Sequence, residues 1–264
     1  MLRNLRFAAT ALVTCFVLTT AAFAQTQAPA SRLDEIISRG SLRVGTTGDY
    51  RPFSYLDKST STFEGFDIDM AQALGTTLGV KVEFVQTSWP TMLKDFEADK
   101  FDMVSGGVSI TLDRQKKGFF TSPTMRQGKT PIARCADVAK FGTLAEIDKP
   151  ETRVIVNPGG TNERFARANL KSANIQVYKD NVTIFDQIAK GDADLMMTDA
   201  SETLYQQKLH PGVLCAVHPD HPFDFSEMGF WLQRDVALKD YVDQWLHIMR
   251  ENGGYRAIFA KWFG

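Results

Sequence analysis

The chain has 264 residues, with 30 basic against 31 acidic side chains and 44% hydrophobic residues. That near balance, with no basic block, excludes nucleic acid as a partner class. The length suits one large domain or two modest ones.

The chain opens on Arg3 and Arg6, followed by an apolar run from Phe7 to Ala22 and the small-x-small triplet Ala22-Phe23-Ala24. This pattern predicts a cleavable secretory leader over residues 1–24. The run is short of the roughly 20 residues a membrane span needs, and no second run approaches that length, so stable membrane insertion is not expected. Cys15 lies inside the leader, too early for a lipid-attachment cysteine. Removing Arg3 and Arg6 leaves 28 basic against 31 acidic residues. Export to the periplasm is the expectation. The two remaining cysteines, Cys135 and Cys215, then point to a disulfide, the plain alternative being two buried thiols. A bridge closing a loop of that length is worth about 3–4 kcal/mol.

Strand and helix patterns alternate from Leu33 onward. Leu33 to Arg39 predicts a helix and Ser41 to Thr46 a strand. Phe66 to Leu78 carries apolar residues at helical spacing, with Gly79 as its stop. Val80 to Gln86 alternates as a strand. Pro90 to Ala98 reads as a helix with Ser88 as N-cap, and Phe101 to Val104 as a strand. The rhythm restarts after Lys129. Strands are expected at Val154–Val156, Ile175–Val177 and Asp194–Met197, and helices at Asn162–Leu170, Val182–Ala189 and from Thr198 onward. The tail from Val236 to Phe263 reads as amphipathic helix interrupted at Gly253-Gly254. This is a βαβ rhythm, which implies a mostly parallel sheet with helices on both faces. It divides the chain into a first lobe (33–127), a second lobe (128–218) and a return segment to the first (219–264). Ligands of open α/β sheets sit outside the carboxyl ends of the strands.

In order and spacing, several pieces resemble the family 3 amino-acid-binding-type periplasmic solute-binding proteins. They are Leu42-Arg43-Val44-Gly45, Tyr50-Arg51-Pro52-Phe53, Gly65-Phe66-Asp67-Ile68-Asp69, Thr111-x-x-Arg114, Ser122-Pro123, Gly160-Thr161 and Asp194-x-x-x-x-Asp199. The resemblance implies an α/β, two-lobed periplasmic-binding-protein-like fold of type II, with the ligand cleft between the lobes. Longer stretches are similar to the cyclohexadienyl dehydratases, a secreted enzyme family that grew out of these receptors. They include Thr87-Ser88-Trp89-Pro90, Gly128-Lys129-Thr130-Pro131-Ile132, Val156 to Glu163, Asp180 to Phe185, Asp194 to Ala200 with Glu202, and Tyr241 to Ile248. Gly106 and Thr124 depart from that family's usual serine and aromatic residue. The implied activity converts prephenate to phenylpyruvate and arogenate to phenylalanine. It needs no metal or organic cofactor, and its partner is the small-molecule substrate alone.

The candidate site residues follow strand ends. The Arg114 guanidinium fork suits a carboxylate, and the resemblance gives it that role. Ser109 is placed to donate a hydroxyl to the same group. Asn157 and Thr161 flank a Pro-Gly-Gly turn at a helix start, where backbone N–H groups attract anions; Thr161 could equally cap the helix. Lys129 would suit the second carboxylate of a dianion. Trp89 and Phe53 are candidate apolar walls, and Asp49 stands in a Gly-Asp-Tyr turn. Asp199 matches the receptor carboxylate that takes a ligand ammonium.

Glu202 has two readings. Three residues after Asp199, it has capping-box spacing. The resemblance instead makes it the general acid, kept protonated by burial. His218 and His221, without cysteine or carboxylate support, are a poor metal signal. The alternative to an enzyme is a non-catalytic amino-acid-binding protein serving a membrane transporter, the one case that implies a protein partner.

Overall fold

The structure is a computed structural model and describes residues 31–264; the leader expected at 1–24, with Cys15, lies outside them. The first helix, Arg32–Arg39, starts on a reciprocal capping box in which Ser31 accepts from the Asp34 amide and Asp34 accepts from the Ser31 amide. The helix Phe66–Leu78 has the expected bounds. It stops because Gly79 enters the left-handed region at φ 69°, which costs glycine nothing.

Two five-stranded sheets organise the chain. In the first, Ser41–Thr46 lies parallel to Lys81–Gln86 and Met103–Val104, and Trp231–Leu232 and Phe119–Phe120 complete one side antiparallel. In the second, Arg153–Val156 lies parallel to Asn174–Val177 and Leu195–Asp199. Lys129–Arg134 then runs antiparallel between Leu195–Asp199 and Leu214–Ala216. Each sheet is therefore mixed, with a parallel half that carries the βαβ units and an antiparallel half made where the chain enters or returns. The two sheets belong to two lobes. Between them, Met125–Gln127 pairs antiparallel with Ser226–Met228, so the polypeptide crosses twice through one short ribbon.

Each lobe has its own core. Leu42, Val44, Phe66, Met70 and Leu74 close the first with Trp245 and Leu246 of the helix Val236–Glu251. Val154, Val156, Leu195 and Met197 close one face of the second. The helical tail breaks where expected, into Val236–Glu251 and Gly254–Phe263. The helix expected from Pro90 is shorter, Met92–Glu97, and its N-cap position is Thr91 rather than Ser88. Ser88 instead bonds the Thr91 hydroxyl at 2.7 Å and offers its carbonyl to the Met92 amide.

Cys135 and Cys215 form a disulfide, 80 residues apart in sequence. It ties Cys135, the residue just after Lys129–Arg134, to Cys215 in the middle of the neighbouring strand Leu214–Ala216, at the end remote from Lys129. Replacing both cysteines by serine is expected to lower unfolding free energy by about 2–4 kcal/mol, read by urea denaturation. No helix among the described residues is long and apolar enough to cross a membrane.

Candidate active site between the lobes

The carboxyl ends of the parallel strands of both sheets converge on one cleft. Asp49 and Tyr50 follow Ser41–Thr46, Trp89 follows Lys81–Gln86, Ser109 follows Met103–Val104, Asn157 follows Arg153–Val156, and Asp199 ends its own strand. The lobes are closed on one another. Tyr50 Oη donates to Asp199 Oδ2 at 2.6 Å across the cleft. The Ser109 and Thr161 hydroxyls meet at 3.2 Å, and Asn181 Nδ2 donates to the Asp49 carbonyl at 3.0 Å. The remaining cavity, lined by Tyr50, Trp89, Ser109, Asn157, Thr161 and Asp199 among others, holds about 10 Å³. That is room for about one water. A ligand larger than a water enters only when the lobes part, as this hinged architecture allows.

Lys129 comes to the site from the antiparallel strand. The register sets Lys129 opposite Asp199, and Lys129 Nζ donates to Asp199 Oδ1 at 2.8 Å, with both side chains almost fully buried. Its other donors go to Asn162 Oδ1 at 2.6 Å and Thr161 Oγ1 at 3.0 Å. Lys129 thus has three protons and three protein acceptors. Asn162 Nδ2 in turn donates to Asn157 Oδ1 and Thr198 Oγ1, each at 3.0 Å.

Glu202 closes this network. Its side chain is only 1% exposed, and its Oε2 lies 2.5 Å from Thr198 Oγ1. Since Thr198 accepts from Asn162, its own proton points to Glu202. Burial pushes the Glu202 carboxyl well above the usual carboxylate range, and the Asp199 and Asp49 carboxylates add to the shift. The Thr198 hydrogen bond and the Lys129 cation oppose it without cancelling it. The capping-box reading of Asp199 and Glu202 is not realised. Asp199 is the N-cap of the helix Ala200–Leu209 but makes no side-chain cap bond, because its oxygens face Tyr50 and Lys129. Glu202 does not line the cleft cavity itself; it borders a neighbouring cavity of about 220 Å³, with Asp49, Asn181 and Gln206.

Arg114 lies at the start of the first lobe's side of the cleft. Thr111 caps its short helix, accepting from the Arg114 amide. The guanidinium makes one hydrogen bond, to the Ser109 carbonyl at 2.8 Å, and has no acidic partner among the described residues. Burial, then repulsion from Arg164, brings its pKa down to about 10, which leaves it charged at neutral pH. It borders a third cavity of about 220 Å³, shared with Trp89, Gly159 and Trp231. A half-buried cation with unspent donors is a site for an anion.

Trp89 stands between these spaces. Its indole donates to Asp49 Oδ1 at 3.0 Å and its ring meets Tyr50 edge-on. Thr161 is the first residue of its helix and not its cap; its hydroxyl goes to Lys129 and Ser109. Phe53 is not a wall of the cleft. It is buried in the first lobe's core, stacked on Tyr50 at 5.3 Å and backed by Phe66 and Phe263. His218 bonds the His221 carbonyl through Nδ1 at 2.8 Å, and no cluster of metal-ligating side chains occurs among the described residues.

Tyr50, Asn162 and Thr198 contact the candidate site residues without being singled out by the sequence pattern, although Tyr50 directly follows Asp49. Gly107 is the fourth. At φ 73° it brings its backbone so near Tyr50 that a Cβ would sit 2.4 Å from the ring. Gly107→Ala is therefore expected to cost about 1–3 kcal/mol of stability. It should also displace Tyr50 from Asp199.

Residues 42–264 match the bacterial extracellular solute-binding proteins, family 3. The chain belongs to this family. Within it, the chain is 55% identical over 241 residues to a cyclohexadienyl dehydratase of Pseudomonas aeruginosa, covering 91% of this chain and 89% of that one. The L-cystine-binding protein TcyJ of Escherichia coli K12 is 28% identical over 234 residues, covering 88% and 86% of the two chains. Among solved structures, an ancestral amino-acid-binding protein described as a precursor of cyclohexadienyl dehydratase is 38% identical with a TM-score of 0.81. It covers 89% of this chain and 100% of that one. An ancestral cyclohexadienyl dehydratase is 53% identical with a TM-score of 0.57, covering 90% and 98%.

Proposed function

We propose that this protein is a cyclohexadienyl dehydratase, a lyase acting on prephenate and arogenate, with Glu202 as its general acid. The observation that carries the reading is the buried Glu202 carboxyl, raised in pKa and spent on no cap, in a chain 55% identical to an enzyme of that activity. In prephenate the bond between the ring and its carboxylate breaks and carbon dioxide leaves. The electron pair moves through the diene and expels the ring hydroxyl. Glu202 protonates that hydroxyl as it departs as water, and regains a proton from solvent afterwards. Aromatisation drives the step, so the protein mainly has to deliver one proton and hold two carboxylates.

Arg114 holds one carboxylate through its free donors. Asn157 and Thr161 fix the other, with Lys129 reaching it by exchanging Thr161. Ser109 orients the Arg114 end. Trp89 lies against the ring, and Asp49 holds Trp89 in place. Export through residues 1–24 puts the enzyme in the periplasm. The test is turnover: purified protein mixed with prephenate should form phenylpyruvate, followed by its absorbance in alkali. Tight binding of an unmodified amino acid without any product would contradict the reading.

A further inference from the structure

We propose that Asp67 is a positioning residue for Arg114: its carboxylate fixes the Gly106–Gly107 turn to the first lobe, and that turn sets the Ser109 carbonyl on which the guanidinium rests. This role presupposes the assignment of Arg114 to a substrate carboxylate made above. Asp67 is the second residue of the helix Phe66–Leu78 and is 3% exposed. No cation among the described residues pairs with it, and its Oδ1 has no hydrogen-bond partner among them. A buried carboxylate without a cation is costly to keep, and the proton transfer at Glu202 does not use it. Its Oδ2 accepts from the Gly107 amide at 2.6 Å and the Gly106 amide at 2.8 Å. Two successive amides on one anion form a nest, here filled by the protein's own side chain. Both glycines have positive φ, 134° and 73°, so the turn has a shape that few other residues would adopt without strain.

Two residues beyond the turn, the Ser109 carbonyl accepts from the Arg114 guanidinium at 2.8 Å. The other support of this segment is the crossing ribbon. The Gly229 amide donates to the Val108 carbonyl, and the Ile110 amide donates to the Glu227 carbonyl. That ribbon runs between the lobes and is the part that bends when they part. Asp67 stands instead on a helix whose Phe66, Met70 and Leu74 are packed in the first lobe's core. The bonds from Asp67 to the turn and from Ser109 to Arg114 lie wholly within the first lobe, so they are the same with the cleft open or closed. Asp67 therefore ties the anchor of Arg114 to the rigid part of the lobe rather than to the moving ribbon. Its charge is what makes the tie firm, since charge-assisted hydrogen bonds are about twice as strong as neutral ones.

Asp67→Asn keeps the shape and one acceptor oxygen but removes the charge. KM for prephenate should rise by about tenfold while kcat stays within about twofold, the pattern of lost uniform binding. In an Arg114→Met background the same substitution should move KM by less than about twofold, because the guanidinium it positions is gone. An unchanged KM in Asp67→Asn, or equal effects in the two backgrounds, would overturn the proposal; equal effects are what a merely structural role gives. If prephenate is not turned over, the dehydratase reading fails, and the same cycle is read as the Kd of phenylpyruvate by calorimetry. If Asp67→Asn does not fold, the unmodified protein decides. Burial brings the Asp67 carboxyl up to about 6, against the opposing bonds from Gly107 and Gly106. Tyr255 of the helix Gly254–Phe263, the ionisable side chain that feels its charge, is pushed up to about 12 and stays neutral throughout. In a pH titration followed by nuclear magnetic resonance, the Gly106 and Gly107 amide protons and the Arg114 Nε proton should shift together around that midpoint. An Arg114 signal that stays fixed while the glycine signals titrate would overturn the proposal.

Discussion

Replacing Glu202 by glutamine is expected to lower kcat for prephenate by about 10²–10⁴-fold, the usual contribution of a positioned proton donor. KM should stay near the unmodified value, because glutamine has nearly the same shape and its carbonyl can accept from Thr198 as Glu202 does now. An amide has no acidic proton to give, so the loss belongs in kcat. The same substitution should alter the pH dependence of stability in a defined direction. The folded carboxyl has a raised pKa, so the native state binds a proton that the unfolded chain releases above its ordinary value of 4.5. Stability from this group is full below that value and is lost as pH rises towards the folded pKa. The Glu202→Gln variant lacks this term, so its urea midpoint should fall less between pH 4.5 and neutrality. Activity of the unmodified enzyme should decline on the alkaline side as Glu202 ionises.

The second large effect is on stability. Lys129→Met leaves Asp199 buried with Tyr50 as its remaining polar partner. Breaking a buried ion pair from one side costs about 3–5 kcal/mol, because a desolvated charge is left behind. In a chain of this size that is a fall in Tm of roughly 6–20 °C. The further change Asp199→Asn removes the stranded charge, so the double variant should recover most of the loss. Near-additive losses in the two single variants and the double variant would show that the pair is not coupled.

Much of the architecture is legible in the sequence because local patterns decide it. The βαβ alternation, the Gly79 stop, the break at Gly253 and the cleft-facing strand ends follow from periodicity and turn chemistry. The antiparallel halves of the sheets do not. Lys129–Arg134 pairs with Leu195–Asp199 across some 70 residues, and no local pattern reports that register. The Lys129–Asp199 contact depends on it, as does the network through Asn162 and Thr198. Glu202 shows the complementary ambiguity. Its spacing from Asp199 fits a cap as well as an acid, and the direction of the Asp199 carboxylate, towards Tyr50 and Lys129, removes the cap. Phe53 and Trp89 are alike as aromatics near strand ends. One faces the core and the other the cleft because the chain turns between Tyr50 and Phe53, placing the rings of those two residues face to face.

A difference infrared spectrum at neutral pH, unmodified protein minus Glu202→Gln, reads the protonation of this one carboxyl directly. We expect the carbonyl stretch of a protonated carboxylic acid, present before substrate is added and lost only when alkali titrates it. A carboxylate signal at neutral pH, with no protonated band, would contradict the assignment of Glu202 as the proton donor.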